Sequence, residues 1–143
     1  MKVILNYLKP VWVSMLLMSL AGIFNANMDT VAHHYGDSIW ASKNASYYNP
    51  NASWVNKWKI DSEGKPIIGK ERFPGSSTIF VRFTDFWHLM KSFMLTTMVL
   101  AVILYRRREK ETVKLAFYAI DFVLLYLSFT LMFELFYSLI LIR

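Results

Sequence analysis

Three continuous apolar stretches constrain this chain more than any other feature. They run from Val11 to Met28, from Phe86 to Tyr105 and from Leu115 to Ile142. Each is close to or beyond the roughly 20 residues that a bilayer core requires. A soluble domain of 143 residues could not hide three such segments in one core, and apolar residues make up 55% of this chain. The expectation is an all-α integral membrane protein with three transmembrane helices and an ordered periplasmic loop. The boundaries read as helix 1 over about residues 10–35, loop 37–77, helix 2 78–106 and helix 3 114–142. Pro10 suits a first helical turn. A signal peptide is the competing reading of the first stretch, but Phe24-Asn25-Ala26-Asn27-Met28-Asp29 makes a poor small-residue cleavage site.

Charge sets the expected orientation. The formal net charge is +6; the densest basic run directly follows an apolar stretch, whereas the basic residues between Asp37 and Arg82 are spread thinly and mixed with acids. Arg106, Arg107, Arg108, Lys110 and Lys114 fill the connection between the second and third stretches, and Lys2 and Lys9 precede the first. Basic residues next to a span favour the cytoplasmic side, which places the N-terminus inside and the long segment and C-terminus in the periplasm. The same distribution argues for membrane lipids as partners and against nucleic acid. There is no cysteine, so disulfides, thiolate ligands and thiol nucleophiles are excluded.

The long segment is not filler. Trp40, Tyr47, Tyr48, Trp54 and Trp58 give it the aromatic density of chain lying at a lipid interface or packed on a partner. Asn49-Pro50-Asn51 and Glu63-Gly64-Lys65-Pro66 read as turns. Phe73-Pro74-Gly75-Ser76-Ser77 reads as another, with a serine to cap a second helix beginning near Thr78.

Polar residues on the apolar helices are the candidates for function, because each is costly in lipid. Asn25, Asp29, His33 and Asp37 recur every four residues along one helical face. Arg82, Asp85, His88, Ser92 and Thr96 follow a similar spacing, and the third stretch carries Asp121 and Glu134. Counting about 1.5 Å per residue from Lys9, Arg106 and Lys114 puts Asp29, Asp85 and Glu134 at one depth of about 30 Å. Asp29, His33, Asp85, His88 and Glu134 therefore form a candidate metal site, with Asn25, His34 and Arg82 in support. Oxygen and nitrogen ligands without sulfur suit a divalent transition metal: zinc, iron, manganese or copper. The alternative is a set of solvated helix ends, with Asp85 complementing a helix N-terminus and His88 or Arg82 partnering Glu134. Asp121 is expected to pair with the basic connection or to mark a subunit contact. The methionines, Met15, Met18, Met90, Met94 and Met98, read as packing.

Three stretches carry a resemblance. Asn27-Met28-Asp29-Thr30-Val31-Ala32-His33-His34, Tyr48-Asn49-Pro50-Asn51-Ala52-Ser53-Trp54-Val55-Asn56-Lys57-Trp58-Lys59, and Phe73-Pro74-Gly75-Ser76-Ser77-Thr78 leading to Thr84-Asp85-Phe86-Trp87-His88-Leu89 resemble a group of small bacterial inner-membrane proteins. The resemblance implies a bacterial inner membrane and a periplasmic loop; it brings no activity. The functional expectation is a non-catalytic subunit or accessory factor, self-associating or joined to a membrane complex. A membrane metalloenzyme or metal-binding protein, and a lipid-headgroup-binding protein, stand as alternatives.

Overall fold

The computed structural model describes residues 7–105 and 115–143. Lys2 and the basic run from Arg106 to Lys114 lie outside the described residues. The chain is mostly helical, with three helices long and apolar enough to cross a membrane. These are α1 (Trp12–His33), α4 (Phe86–Ile103) and α5 (Leu115–Glu134), the last continuing as wider π-helical turns over Leu135–Leu141. Pro10 sits just ahead of α1 rather than in its first turn. Between α1 and α4 lie two single-turn helices, α2 (Ala45–Tyr48) and α3 (Pro50–Ser53), and a small sheet.

The sheet corrects the all-α expectation. Strands β1 (Trp58–Ile60) and β2 (Pro66–Glu71) pair antiparallel, with Lys59 opposite Ile67 and Ile60 opposite Pro66. Their turn is built by Asp61, whose carboxylate accepts the Glu63 and Lys65 N–H groups at 2.9 and 2.8 Å, with Gly64 at a φ of 81°. Asn49 caps α3, with Pro50 in its first turn, and Asn44 caps α2.

A second correction concerns the start of α4, which is Phe86 and not the neighbourhood of Thr78. The Gly75 carbonyl accepts both the Thr78 and the Phe80 N–H, so the chain stays in turns and then enters a 3-10 run over Val81–Phe83. Neither serine of the Phe73–Ser77 turn caps α4. Ser76 donates to the Lys57 carbonyl at 2.7 Å, and Ser77 donates to Glu71. Glu71 also accepts the Gly75 N–H at 2.7 Å and the Ser77 N–H at 3.1 Å. The Ser77 hydroxyl and then these two amides hold its carboxyl below the ordinary glutamate range.

In the bundle, α1 is the central member. Both α4 and α5 pack on it and make little contact with each other. Small residues on α1 permit this: Ser14, Ala21, Gly22, Ala26 and Thr30 are all buried. The Ser14 hydroxyl donates to the Ala101 carbonyl of α4 at 2.8 Å. On the α5 side, a Cβ added at Gly22 would stand 2.3 Å from the Phe129 carbonyl oxygen and 3.2 Å from the Phe133 nitrogen. Both atoms are backbone and cannot swing away.

The long segment closes one end of the bundle as a cap. Trp40, Tyr47 and Tyr48 pack on Phe86, with ring centroids 4.7, 6.5 and 4.8 Å from it. Beneath them Met28, Val31, Phe86 and Met90 form the buried cluster. The C-terminus returns to the same end, where Ile39 donates to the Leu141 carbonyl at 2.9 Å and Arg143 to the Asp37 carbonyl at 2.8 Å.

Gly22→Ala should destabilise the bundle by about 1–3 kcal/mol, the usual range for overpacking. Gly36→Ala, where an added Cβ meets nothing within 4 Å, should be neutral. Thermal unfolding in detergent compares the two; equal midpoints would mean that α5 does not pack on Gly22.

Candidate functional site

Asp85 organises the junction between cap and bundle. It is 3% exposed, and its extended backbone makes it the N-cap of α4. One carboxylate oxygen accepts the His88 N–H at 2.9 Å. The His88 ring lies against the same carboxylate, with Nδ1 2.9 and 2.7 Å from its two oxygens. The Thr84 hydroxyl is 3.0 Å from the second oxygen and donates to the Val81 carbonyl at 2.7 Å. Burial pushes the Asp85 carboxyl up, but the His88 ring and N–H, the imidazole's charge and the Thr84 hydroxyl outweigh it. The net result is a value below the ordinary aspartate range. Tyr47 sits close enough to feel this charge: burial, Tyr48 and Asp85 all raise its hydroxyl.

Chemically, the pair is a buried carboxylate that orients an imidazole through Nδ1, with the His88 side chain 28% exposed. Asn56 braces the same junction from the cap side. Its amide donates to the Ser46 carbonyl at 2.6 Å and to the Thr84 carbonyl at 2.9 Å, tying α2 to the turn ahead of Asp85.

The other candidates do not join this pair. Asp29 and Asn25 are half-buried and His33 is exposed, while the packed side of α1 is carried by Ala26, Asn27, Met28, Thr30 and Val31. His34 lies edge-on to Tyr137, with ring centroids 5.7 Å apart. Glu134 is exposed and accepts from Ser138 at 3.3 Å; neither His88 nor Arg82 is its partner. Arg82 instead lies 5.0 Å from the Phe83 ring centroid. Among the described residues no group of three or more His, Asp or Glu side chains is placed to hold a metal ion. Of the five residues, the structure brings Asp85 and His88 into direct contact as one His–Asp pair. Equal depth placed the five residues at one level, but α4 and α5 each pack on α1 and make little contact with each other, which keeps Glu134 on α5 apart from Asp85 and His88.

At the opposite end, Asp121 accepts the Tyr7 hydroxyl at 2.8 Å and the Tyr105 hydroxyl at 2.6 Å. These two tyrosines, unmarked in the sequence reading, tie all three helices together there. A cavity of about 260 Å³ adjoins Tyr105 and Asp121, lined also by Met18, Ala101, Tyr118 and Leu125 among others. The role of Asp85 as a cap was legible, because an acid directly before an apolar helical run is an N-cap signature. The roles of Tyr7, Asn56 and Tyr105 had no local signal, since each partner lies far away in sequence.

No family model, curated protein or solved structure matches the chain.

Asp85→Ala should destabilise the cap by about 2 kcal/mol, from a lost helix cap and newly unpaired buried donors. Because the folded carboxyl is held low, its contribution is complete above the unfolded aspartate value of about 3.9. It is lost as pH falls through the depressed folded value. The stability gap between the wild type and Asp85→Asn, followed by tryptophan fluorescence, should be full at about pH 6 and shrink below about pH 4. A gap that stays constant down to about pH 2 would show that the charge on Asp85 is not what stabilises the cap.

Proposed function

We propose that the chain is a small polytopic protein of a bacterial inner membrane, acting as a non-catalytic subunit or accessory factor. Its three long helices cross the bilayer, and the cap is presented on the periplasmic face. The observation that carries this reading is the one-sided packing of α5. That helix has no buried residue, and it leaves Phe122, Val123, Leu127 and Leu131 exposed at 69, 50, 44 and 65%. In a bilayer such a face meets lipid or a neighbouring protein, and association there is driven by van der Waals packing rather than by apolar burial. The use of the polar pair also supports a non-catalytic role: Asp85 and His88 are committed to starting α4 and seating the cap.

The orientation rests on Lys9 and on the basic connection between α4 and α5. The pairing of Ile39 with Leu141 places the cap and the C-terminus at one end, as a three-span chain requires. Reporter fusions at Lys57 and after Arg143 should both report the periplasm. Single cysteines at Phe122 or Leu131, in a chain with none of its own, should give a discrete crosslinked species in native membranes, and one at Ser62 should give none. Absence of any crosslinked species at Phe122 and Leu131 would leave α5 facing lipid alone and remove the subunit reading.

A further inference from the structure

We propose that the segment from Ile79 to Phe83 is a membrane-surface anchor, with Ile79, Phe80 and Phe83 entering the boundary between headgroups and acyl chains and Arg82 taking a lipid phosphate. The inference rests on the reading that α1, α4 and α5 span the bilayer.

The cap has two sets of large apolar side chains. Trp40, Tyr47 and Tyr48 turn inward onto Phe86. Ile79, Phe80 and Phe83 turn outward, exposed at 77, 42 and 59%. Three large apolar side chains within five residues, left uncovered by their own chain, need an apolar surface. Their position supplies one. Phe83 stands three residues before Phe86, and the 3-10 turn that carries it packs on the start of α4. The segment is therefore continuous with a membrane span and within roughly one helical turn of its end, where aromatic residues collect at the lipid interface.

The outward posture is built into the turn. Phe80 donates its N–H to the Gly75 carbonyl at 2.8 Å, and its ring fills the space that a Cβ on Gly75 would need, 2.9 Å away. Phe83 donates to the Phe80 carbonyl at 3.0 Å, and their rings stack with centroids 6.2 Å apart. The Thr84 and Asp85 network then fixes the segment to α4.

Two cations mark the phosphate level. Arg82 lies over the Phe83 ring. Lys91 reaches back one turn, its ammonium 4.9 Å from the centroid of the Trp87 ring, as a lysine does when its stem lies in lipid and its head seeks the interface. Among the described residues the ion pairs are Lys65–Glu63 and His88–Asp85, so both cations are available to an anion. A free guanidinium beside exposed aromatic rings fits a phospholipid surface, and an anionic headgroup in particular.

The test uses the lack of native cysteine. Bimane is attached to single cysteines at Ile79, Phe83, Ser62 in the hairpin turn and Leu127 within α5, each in protein reconstituted into vesicles of phosphatidylcholine and phosphatidylglycerol. Lipids brominated high on the acyl chain should quench the Ile79 and Phe83 labels. Aqueous iodide should quench both at least about threefold less than the Ser62 label, as expected for residues at the acyl boundary. Brominated phosphatidylglycerol should quench Phe83 more effectively than brominated phosphatidylcholine, by up to about fivefold in effective local concentration, and Arg82→Gln should bring the ratio close to one. Iodide quenching at Ile79 and Phe83 equal to that at Ser62 would overturn the anchor. Protection from iodide without quenching by brominated lipid would also overturn it, since protein would then cover the patch. A Leu127 label that aqueous iodide quenches as readily as the Ser62 label would instead overturn the spanning reading itself.

Discussion

The backbone of α5 runs so close to Gly22 that no side chain fits between them. The rest of the bundle depends on this approach and on the neighbouring small residues of α1. Ala21 and Ala26 are fully buried, and Ser14 reaches across to the α4 backbone at Ala101. With a narrow central helix, two larger helices can both lie against it without meeting each other. Close packing of this kind matters most in lipid, where apolar side chains gain little by leaving one apolar surface for another. Large residues are pushed to the outer faces of α4 and α5, which is why those faces are apolar and uncovered.

The cap depends on a different device. Phe86 is the first residue of α4 and the floor on which Trp40, Tyr47 and Tyr48 rest, so the cap can form only where α4 begins. That point is set by Asp85, which satisfies the His88 N–H and holds the His88 ring, while Asn56 ties the preceding turn to α2. Burial of Phe86 is worth about 2 kcal/mol, comparable to the contribution of the cap residue beside it. One short stretch, Thr84 to His88, thus serves both helix initiation and cap docking. An acid and a histidine at metal-like spacing are here accounted for by structure.

The polar residues show where sequence reading stops. Spacing along one helix gives its faces, and rise per residue gives a level along it, which is what grouped Asp29, Asp85 and Glu134. Which way each helix is rotated is decided by side chains on its neighbours. Gly22 and Ala26 turn α1 so that its small face is buried, and Asp29 and His33 fall to the side. The start of α4 was misplaced for a related reason. The Gly75 carbonyl, already bonded to Thr78, captures the Phe80 N–H as well, and the serines are drawn to Glu71 and Lys57.

The lengths of the three apolar stretches, the basic residues between them and the turn residues around Asn49, Asp61 and Gly75 determined the helical class, the count of long helices and the breaks in the cap. These follow from local chemistry: apolar length, proline and glycine geometry, and side chains that bond their own backbone. Tertiary structure alone decided that α1 is central, that Asp121 binds two tyrosines, that Glu134 meets neither His88 nor Arg82, and that Ile79 to Phe83 face outward. Each of these depends on groups brought together from distant parts of the chain, and no periodicity within a single segment records which neighbour its face will meet.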